Sequence, residues 1–290
     1  MTKGWATLTG FGAVLLWSLL ALLTVQTAPV PPLQLNAVCF GLGGLIGLIW
    51  VAATGSMGAL RAVPLRVYVF GTAGLFGYHL LYFSALRLAP AAEAGLIAYL
   101  WPLLIVLLSG MLPGEKLVAR HIFGALLAFA GAALIVSSGA AGFDLSHAPG
   151  YALAFICALT WAVYSVVSRR LGDVPTASVT VFCLATSLLS AAAHLMIETT
   201  VWPGSGQGWF AMAALGLGPV GLAFFIWDIG VKRGDIQLLG VASYAAPLLS
   251  TLALILAGIA SPSGTLLVAA GLIAGGAALA ASASARRRAG

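Results

Sequence analysis

Charge is what this sequence has least of. Only 7% of its 290 residues are Asp, Glu, Lys or Arg, and just seven are acidic. A soluble domain is about 25% charged, so these groups cannot clothe a soluble surface of this size, and a soluble enzyme or binding domain is excluded. Cysteine is equally scarce. Cys39, Cys157 and Cys183 all lie in apolar segments, with no CxxC and no His nearby at ligand spacing. That excludes a disulfide framework and a metal centre, and the three behave as small hydrophobes. Also missing are HExxH, GxSxG, a P-loop and a paired-Asp motif. No cofactor is therefore expected, and ATP-driven pumping by this chain alone is excluded. Gly216-Leu217-Gly218-Pro219-Val220-Gly221 does spell GxGxxG. It sits inside an apolar run with no strand before it, and reads as a close-packing surface, like Gly43/Gly47 and Gly271/Gly275.

What is present is apolar length. The chain is 61% hydrophobic with a mean hydropathy of +1.09. Continuous apolar runs of about 20 residues choose helices over the weak alternation of a membrane β-barrel. Ten spans are predicted, at approximately 5–25, 33–53, 67–87, 91–111, 118–138, 150–169, 177–198, 208–228, 236–257 and 264–284. Connectors such as Pro31-Pro32, Pro113-Gly114-Glu115-Lys116 and Trp202-Pro203-Gly204-Ser205-Gly206 leave no room for a soluble domain. The first apolar run is longer than a signal-peptide core and is read as a retained span.

The net charge of +6 and pI near 9.6 do not point to nucleic acid, because basic residues in such a chain mark cytoplasmic loops. With the N terminus inside, Lys3, Arg61, Arg66, Lys116, Arg120, Arg169, Arg170, Lys232, Arg233, Arg286, Arg287 and Arg288 all fall on the cytoplasmic side. That is 12 of the 13 basic residues, leaving only Arg87 outside. Both termini are expected in the cytoplasm, in a bacterial-type inner membrane with lipid as the surroundings.

The chain also repeats itself. A shift of 144 places Trp17 on Trp161; a shift of 145 places Arg87 on Lys232, Gly95 on Gly240, Tyr99 on Tyr244 and Pro102 on Pro247. Gly131-Ala132-Ala133-Leu134 likewise falls on Gly276-Ala277-Ala278-Leu279. Each unit holds five spans, an odd number, so the second must be upside down relative to the first. The fold class expected is an all-α integral membrane protein of ten transmembrane helices. Its two inverted five-helix repeats, residues 1–140 and 148–288, surround a central cavity. Inverted repeats serve alternating access, with the substrate site near the midplane. An enzyme has no need of them.

Leu112-Pro113-Gly114-Glu115-Lys116-Leu117, followed by Gly124-Ala125-Leu126-Leu127-Ala128-Phe129-Ala130-Gly131, resembles the EamA repeat of the drug/metabolite transporter superfamily. That repeat ends in a Gly-Glu turn and a Gly-Ala-rich last helix. The resemblance covers nearly the whole chain, and the aromatic third and fourth spans look most like the aromatic amino acid exporters of the YddG type. It implies ten helices, a cavity lined mainly by spans 3, 4, 8 and 9, and export of small metabolites. The second unit departs from the pattern, with Ala260 where the shift would place Glu115. Glu115 is therefore read as turn structure.

The candidate site residues are the polar and aromatic groups that lipid disfavours. Tyr78 and Tyr82, four apart, share one face of span 3 with His79 adjoining. They are either a cavity wall or packing, and Tyr78 lies too far from a span end for an interfacial belt. His79 is either a proton relay or a hydrogen-bonded core histidine. Pro102 and Pro247 each free the carbonyl four residues earlier, at Ala98 and Ser243, as paired hinges or as static kinks. Tyr99 and Tyr244, three residues before each proline, are the repeat-related cavity pair. Trp101 falls about 200° around the helix from Tyr99 and is expected at the cavity mouth or against lipid. Trp161, Tyr164 and Ser165 form one face of span 6, as pathway or as packing, with Trp17 the weaker counterpart of Trp161. Asp228 and Lys232 read as a structural i,i+4 pair, His194 and Glu198 as an interfacial one. Glu93 reads either as a cap at the start of span 4 or as a gate partner of Arg87.

The candidate residues predict export of a small amphipathic solute by alternating access, and the resemblance implies aromatic and other neutral amino acids, or similar metabolites, as that solute. The site set is Tyr78, His79, Tyr82, Tyr99, Trp101, Trp161, Tyr164, Ser243 and Tyr244, with hinges at Pro102 and Pro247. A drug, cation or nucleotide-sugar exporter is the alternative from the same superfamily. An intramembrane enzyme or lipid-binding scaffold is the alternative from another class. The protein is expected to be a monomer.

Overall fold

In hydrocarbon every backbone N–H and C=O must find its partner within the protein, which leaves helices for apolar runs of this length. The computed structural model describes residues 1–137 and 142–289, and no strand occurs among them. The expected unit boundary at residue 140, the predicted end of span 5 at 138 and the side chains of Arg286, Arg287 and Arg288 lie outside the described residues. Ten helices are long and apolar enough to cross a bilayer. Spans 1 to 5 are Lys3–Gln26, Pro32–Ala53, Leu65–Leu88, Ala91–Ser109 and Ala119–Val136. Spans 6 to 10 are Leu145–Arg170, Thr176–Ile197, Gly206–Arg233, Ile236–Leu256 and Gly264–Ala283. The chain therefore crosses ten times and brings both termini to one end, called here the basic end.

Four of the spans are interrupted, three of them beside a proline. Span 4 breaks between Ala91–Ala98 and Trp101–Ser109, and span 9 between Ile236–Ala242 and Ala245–Leu256. Both breaks lie just before the repeat-related Pro102 and Pro247, which cannot donate to the preceding turn. At the second break the Ser243 carbonyl, which has lost Pro247 as donor, instead accepts from the Ala246 N–H at 3.1 Å. Span 8 widens into a π turn at Gly218–Leu222 around Pro219, and span 1 breaks between Trp17 and Leu20.

The pairing of spans has the two-fold logic of an inverted repeat. Spans 5 and 10 pack on one another, as do spans 2 and 7, while spans 3 and 6 mirror spans 8 and 1. Glycine permits the closest of these approaches. A Cβ on Gly10 would lie 2.7 Å from the Gly230 Cα, and one on Gly124 would lie 2.7 Å from the Gly276 carbonyl oxygen. Gly43 similarly meets Gly221, and Gly47 meets Thr180, whereas Gly271 faces open space and Gly275 only touches Leu127. The close-packing reading of Gly216–Gly221 and Gly43/Gly47 thus matches the fold, and that of Gly271 does not.

The two ends differ. At the basic end the inner halves of spans 4 and 9 pack together, with Gly240 against Val106 and the Pro102 carbonyl. At the opposite end Ala91–Ala98 turns to spans 3, 5 and 6, while Ala245–Leu256 turns to spans 1, 5 and 10. The broken helices are closed at the basic end and diverge at the other.

Candidate functional site

Between the units the side chains of spans 1, 2, 3, 4, 6 and 8 build one continuous aromatic cluster. Tyr78 and Tyr82 stack as their i,i+4 spacing predicts, ring centroids 6.2 Å apart and planes 3° apart. Tyr78 packs on Trp161 at 5.5 Å and His79 on Phe40 at 5.0 Å. Trp161 in turn meets Trp17, Trp101, Phe224 and Trp227. Tyr99, at the break in span 4, packs against the adjoining cluster of spans 4, 5, 9 and 10 that holds Tyr244. Aromatic side chains bury roughly 150–250 Å² each, so the cluster is a large share of the packing between the units.

Hydrogen bonding divides these rings into two kinds. Some are spent on the scaffold: the Trp17 indole N–H donates to the Pro219 carbonyl at 3.0 Å, and that of Trp227 to Ser165 Oγ at 3.1 Å. The π turn of span 8 is thereby capped by a side chain from the other unit. By contrast, no hydrogen bond among the described residues engages the hydroxyls of Tyr78, Tyr82 and Tyr99 or the indole N–H groups of Trp101 and Trp161. Tyr78, His79, Tyr82 and Tyr99 sit deep in the bundle yet are only half-buried. His79 Nδ1 lies 2.8 Å from the Leu75 carbonyl oxygen. A carbonyl can only accept, so Nδ1 carries the proton and the neutral ring has an acceptor at Nε2.

Other expected site residues lie elsewhere. Tyr164 is buried one layer behind Trp161, stacked on it at 5.1 Å and on Phe70 at 5.8 Å. Its outer side lines a lateral apolar groove between spans 3 and 6, with Gly74, Gly77, Thr160 and Val163. Ser243 is fully buried and its hydroxyl donates to the Leu239 carbonyl. Tyr244 is fully buried too, beside Phe129, and its hydroxyl accepts the Leu103 N–H at 3.0 Å. Tyr99 and Tyr244 are repeat mates and share one packing cluster, Tyr244 fully buried and Tyr99 half-buried. Trp101 corrects another expectation: it is buried among Trp17, Trp161 and Trp227, neither at a mouth nor against lipid. The 100° wheel fails because the helix breaks between Tyr99 and Trp101, so the angle is not conserved across that step.

Ion pairs frame the cluster at both ends. Lys232 pairs with Asp228 at 2.9 Å as its spacing predicts, and Thr176 donates to the same carboxylate. At the far end Glu198, almost fully buried, accepts from the N–H groups of Leu33 and Gln34 and pairs with Arg87 and His194. Among the described residues the ion pair of Arg87 is with Glu198, in place of the expected Glu93. Among the described residues no group of three or more His, Cys, Asp or Glu is arranged to hold a metal. Phe40, Phe224 and Trp227 belong to the cluster without having been expected there. No polar atom or repeat match singled out the phenylalanines, and Trp227 stood near a span end.

The sequence matches the EamA-like transporter family twice, over residues 4–137 and 148–282. The chain belongs to the EamA-like transporter family. It is a multi-pass membrane transporter of small molecules, with bacterial relatives. It is 55% identical over 282 residues, 97% of this chain and 98% of the other, to a protein of Ancylobacter novellus named aromatic amino acid exporter YddG. A protein of the same name from Salmonella typhimurium is 27% identical over 265 residues, covering 87% and 88% of the two chains. A solved crystal structure superposes with a TM-score of 0.92 at 55% identity, covering 96% of this chain and 98% of that one.

Proposed function

We propose that this transporter exports aromatic and other neutral amino acids, and is not an enzyme. The observation that carries this reading is an aromatic wall at the centre of the bundle whose phenol hydroxyls and indole N–H groups have no partner among the described residues. Rings of this kind fit an aromatic or aliphatic side chain, while the hydroxyls and His79 Nε2 meet the amino acid's charged ends. Aromatic faces also attract an ammonium group. Neutral hydrogen bonds of this type contribute only about 0.5–1.5 kcal/mol each, which suits a carrier that must release its cargo. The names of the relatives support the same substrate class.

Tyr78, His79, Tyr82, Tyr99, Trp101 and Trp161 form the substrate site in this reading, with Tyr164 buttressing Trp161. Ser243 and Tyr244 shape the break that the site closes around. Residues 1–140 and 148–288 act as the two moving units, bending at Pro102 and Pro247. The one-sided distribution of Lys and Arg supports a cytoplasmic basic end, and on that reading the state described opens outward. A nucleotide-sugar cargo is disfavoured because Arg169 and Lys232 are committed to other partners at the basic end. The glycine contacts at Gly43, Gly124 and Gly276 are consumed inside the fold, which supports a monomer in lipid. Proton carriers are scarce along the proposed pathway, with His79 and Glu93 the candidates, which supports facilitated transport without proton coupling.

The deciding experiment is uptake of labelled tryptophan, phenylalanine, alanine and glutamate into proteoliposomes. Flux of the three neutral amino acids, lost in Tyr82→Ala and His79→Ala protein that stays folded, is expected. Absence of neutral amino acid flux would overturn the substrate assignment, and a steep response to an imposed pH gradient would overturn facilitated transport.

A further inference from the structure

The loops that follow spans 4 and 9 are repeat mates with the same backbone turn. Gly114 has φ of 77° and Gly258, 144 residues later, has φ of 72°. Their chemistry diverges immediately afterwards. Gly114 is followed by Glu115 and Lys116, Gly258 by Ile259 and Ala260. The first loop is docked. Glu115 pairs with Arg169 at the end of span 6, where both side chains are largely buried. Arg169 Nη1 also donates to the carbonyls of Val231 and Gly234 at 2.9 Å each. Arg170 donates to the Met111 carbonyl, and Gln237 to that of Lys116. One guanidinium thus holds the turn of the first unit to the ends of two spans of the second. The mated loop is different, with residues 256–259 exposed. The residue related to Arg169 by the offset joining Trp17 to Trp161 is Val25, which is 60% exposed.

In an inverted repeat the two units exchange conformations when access alternates. Closing the opposite end would dock the 258–260 turn on the end of span 1 and release the 114–116 turn. We infer that the Glu115–Arg169 pair is a one-sided latch that makes the state closed at the basic end the resting one. Its mirror contact, Ile259 with Val25, has no charge to offer, so the ion pair is formed in one state and lost in the other. Breaking one member of a buried pair leaves the other uncompensated, and this asymmetry biases the equilibrium without touching the aromatic wall. The inference rests on the alternating-access reading above.

The test uses Val106→Cys, a position fully buried between the inner halves of spans 4 and 9. It becomes reachable only when the basic end opens. Labelling by a small maleimide is followed in purified protein, with the parent chain, which keeps Cys39, Cys157 and Cys183, as the blank. Glu115→Gln is expected to raise the labelling rate about tenfold or more. The pair Ile259→Glu with Val25→Arg, at two exposed positions where folding is little affected, builds the missing mirror latch and is expected to raise the rate as well. Amino acid flux is measured in parallel in vesicles. Flux with unchanged labelling in both variants would overturn the latch and leave the transport reading standing. Vesicles of the parent protein that carry no solute would overturn both.

Discussion

Replacing Tyr244 with Phe removes one oxygen atom from the centre of the protein. That oxygen accepts the Leu103 N–H at 3.0 Å. In an unbroken helix Leu103 would donate to Tyr99, but the break between Ala98 and Trp101 interrupts the ladder there. Tyr244 is fully buried, and no water reaches such a site from hydrocarbon to replace it. Leaving a buried N–H unpaired costs about 1–3 kcal/mol, while hydrogen bonds between membrane helices average only about 0.6 and reach about 1.7 kcal/mol. The donor here is a backbone group fixed by the helix break, with little freedom to find another acceptor. A loss of about 1–2 kcal/mol is therefore expected. For a protein of this size that is a fall in Tm of roughly 2–8 °C, together with faster hydrogen exchange at the Leu103 amide. The ring and its contact with Phe129 remain, so the effect reports the hydroxyl alone. Tyr99→Phe is the matched control and is expected to leave Tm unchanged. Equal stability of Tyr244→Phe and the parent, with unaltered exchange at Leu103, would refute the reasoning and leave Pro102 as sufficient to hold the break.

Further outcomes follow from the same contacts. Tyr99→Phe should weaken apparent affinity for tryptophan by roughly 2–10-fold, one neutral hydrogen bond's worth, measured as KM for uptake into vesicles. Gly10→Ala forces a methyl against the Gly230 Cα and should cost about 1–3 kcal/mol in overpacking, read by thermal unfolding in detergent. Glu198→Gln removes a buried charge that holds Leu33, Gln34, Arg87 and His194. It should destabilise the protein by about 2–4 kcal/mol, and unchanged denaturation curves would count against that network. Trp17→Phe keeps a ring at the interface but drops the bond to Pro219, so a lower Tm and faster exchange around Gly218–Leu222 are expected.

Much of this protein was legible because lipid simplifies the code. Where every backbone group must be satisfied locally, an apolar run of sufficient length can only be a helix, and ten such runs gave ten spans near their expected bounds. The i,i+4 rule placed Tyr78 on Tyr82 and Asp228 on Lys232 because both pairs lie within unbroken helix. The 100° wheel misplaced Trp101, because a break intervenes and the helical phase is lost across it. Pro102 and Pro247 announced their breaks, but a missing N–H does not say which side chain repairs the gap. The hydroxyl of Tyr244 does so from another span.

By itself, then, the chain determined its membrane character, its number of crossings, its two-fold repetition and the family it joins. These are properties of composition, period and offset, all carried within a segment or between segments at a fixed spacing. Tertiary structure alone decided which aromatic rings are spent on the scaffold and which keep their polar edges unengaged. It also decided that Glu198 is shared by three spans, and that Glu115, seemingly a turn residue, reaches Arg169 across the two units. Such choices depend on contacts between residues 50 to 200 positions apart, and no local pattern encodes which of several similar side chains will face which neighbour.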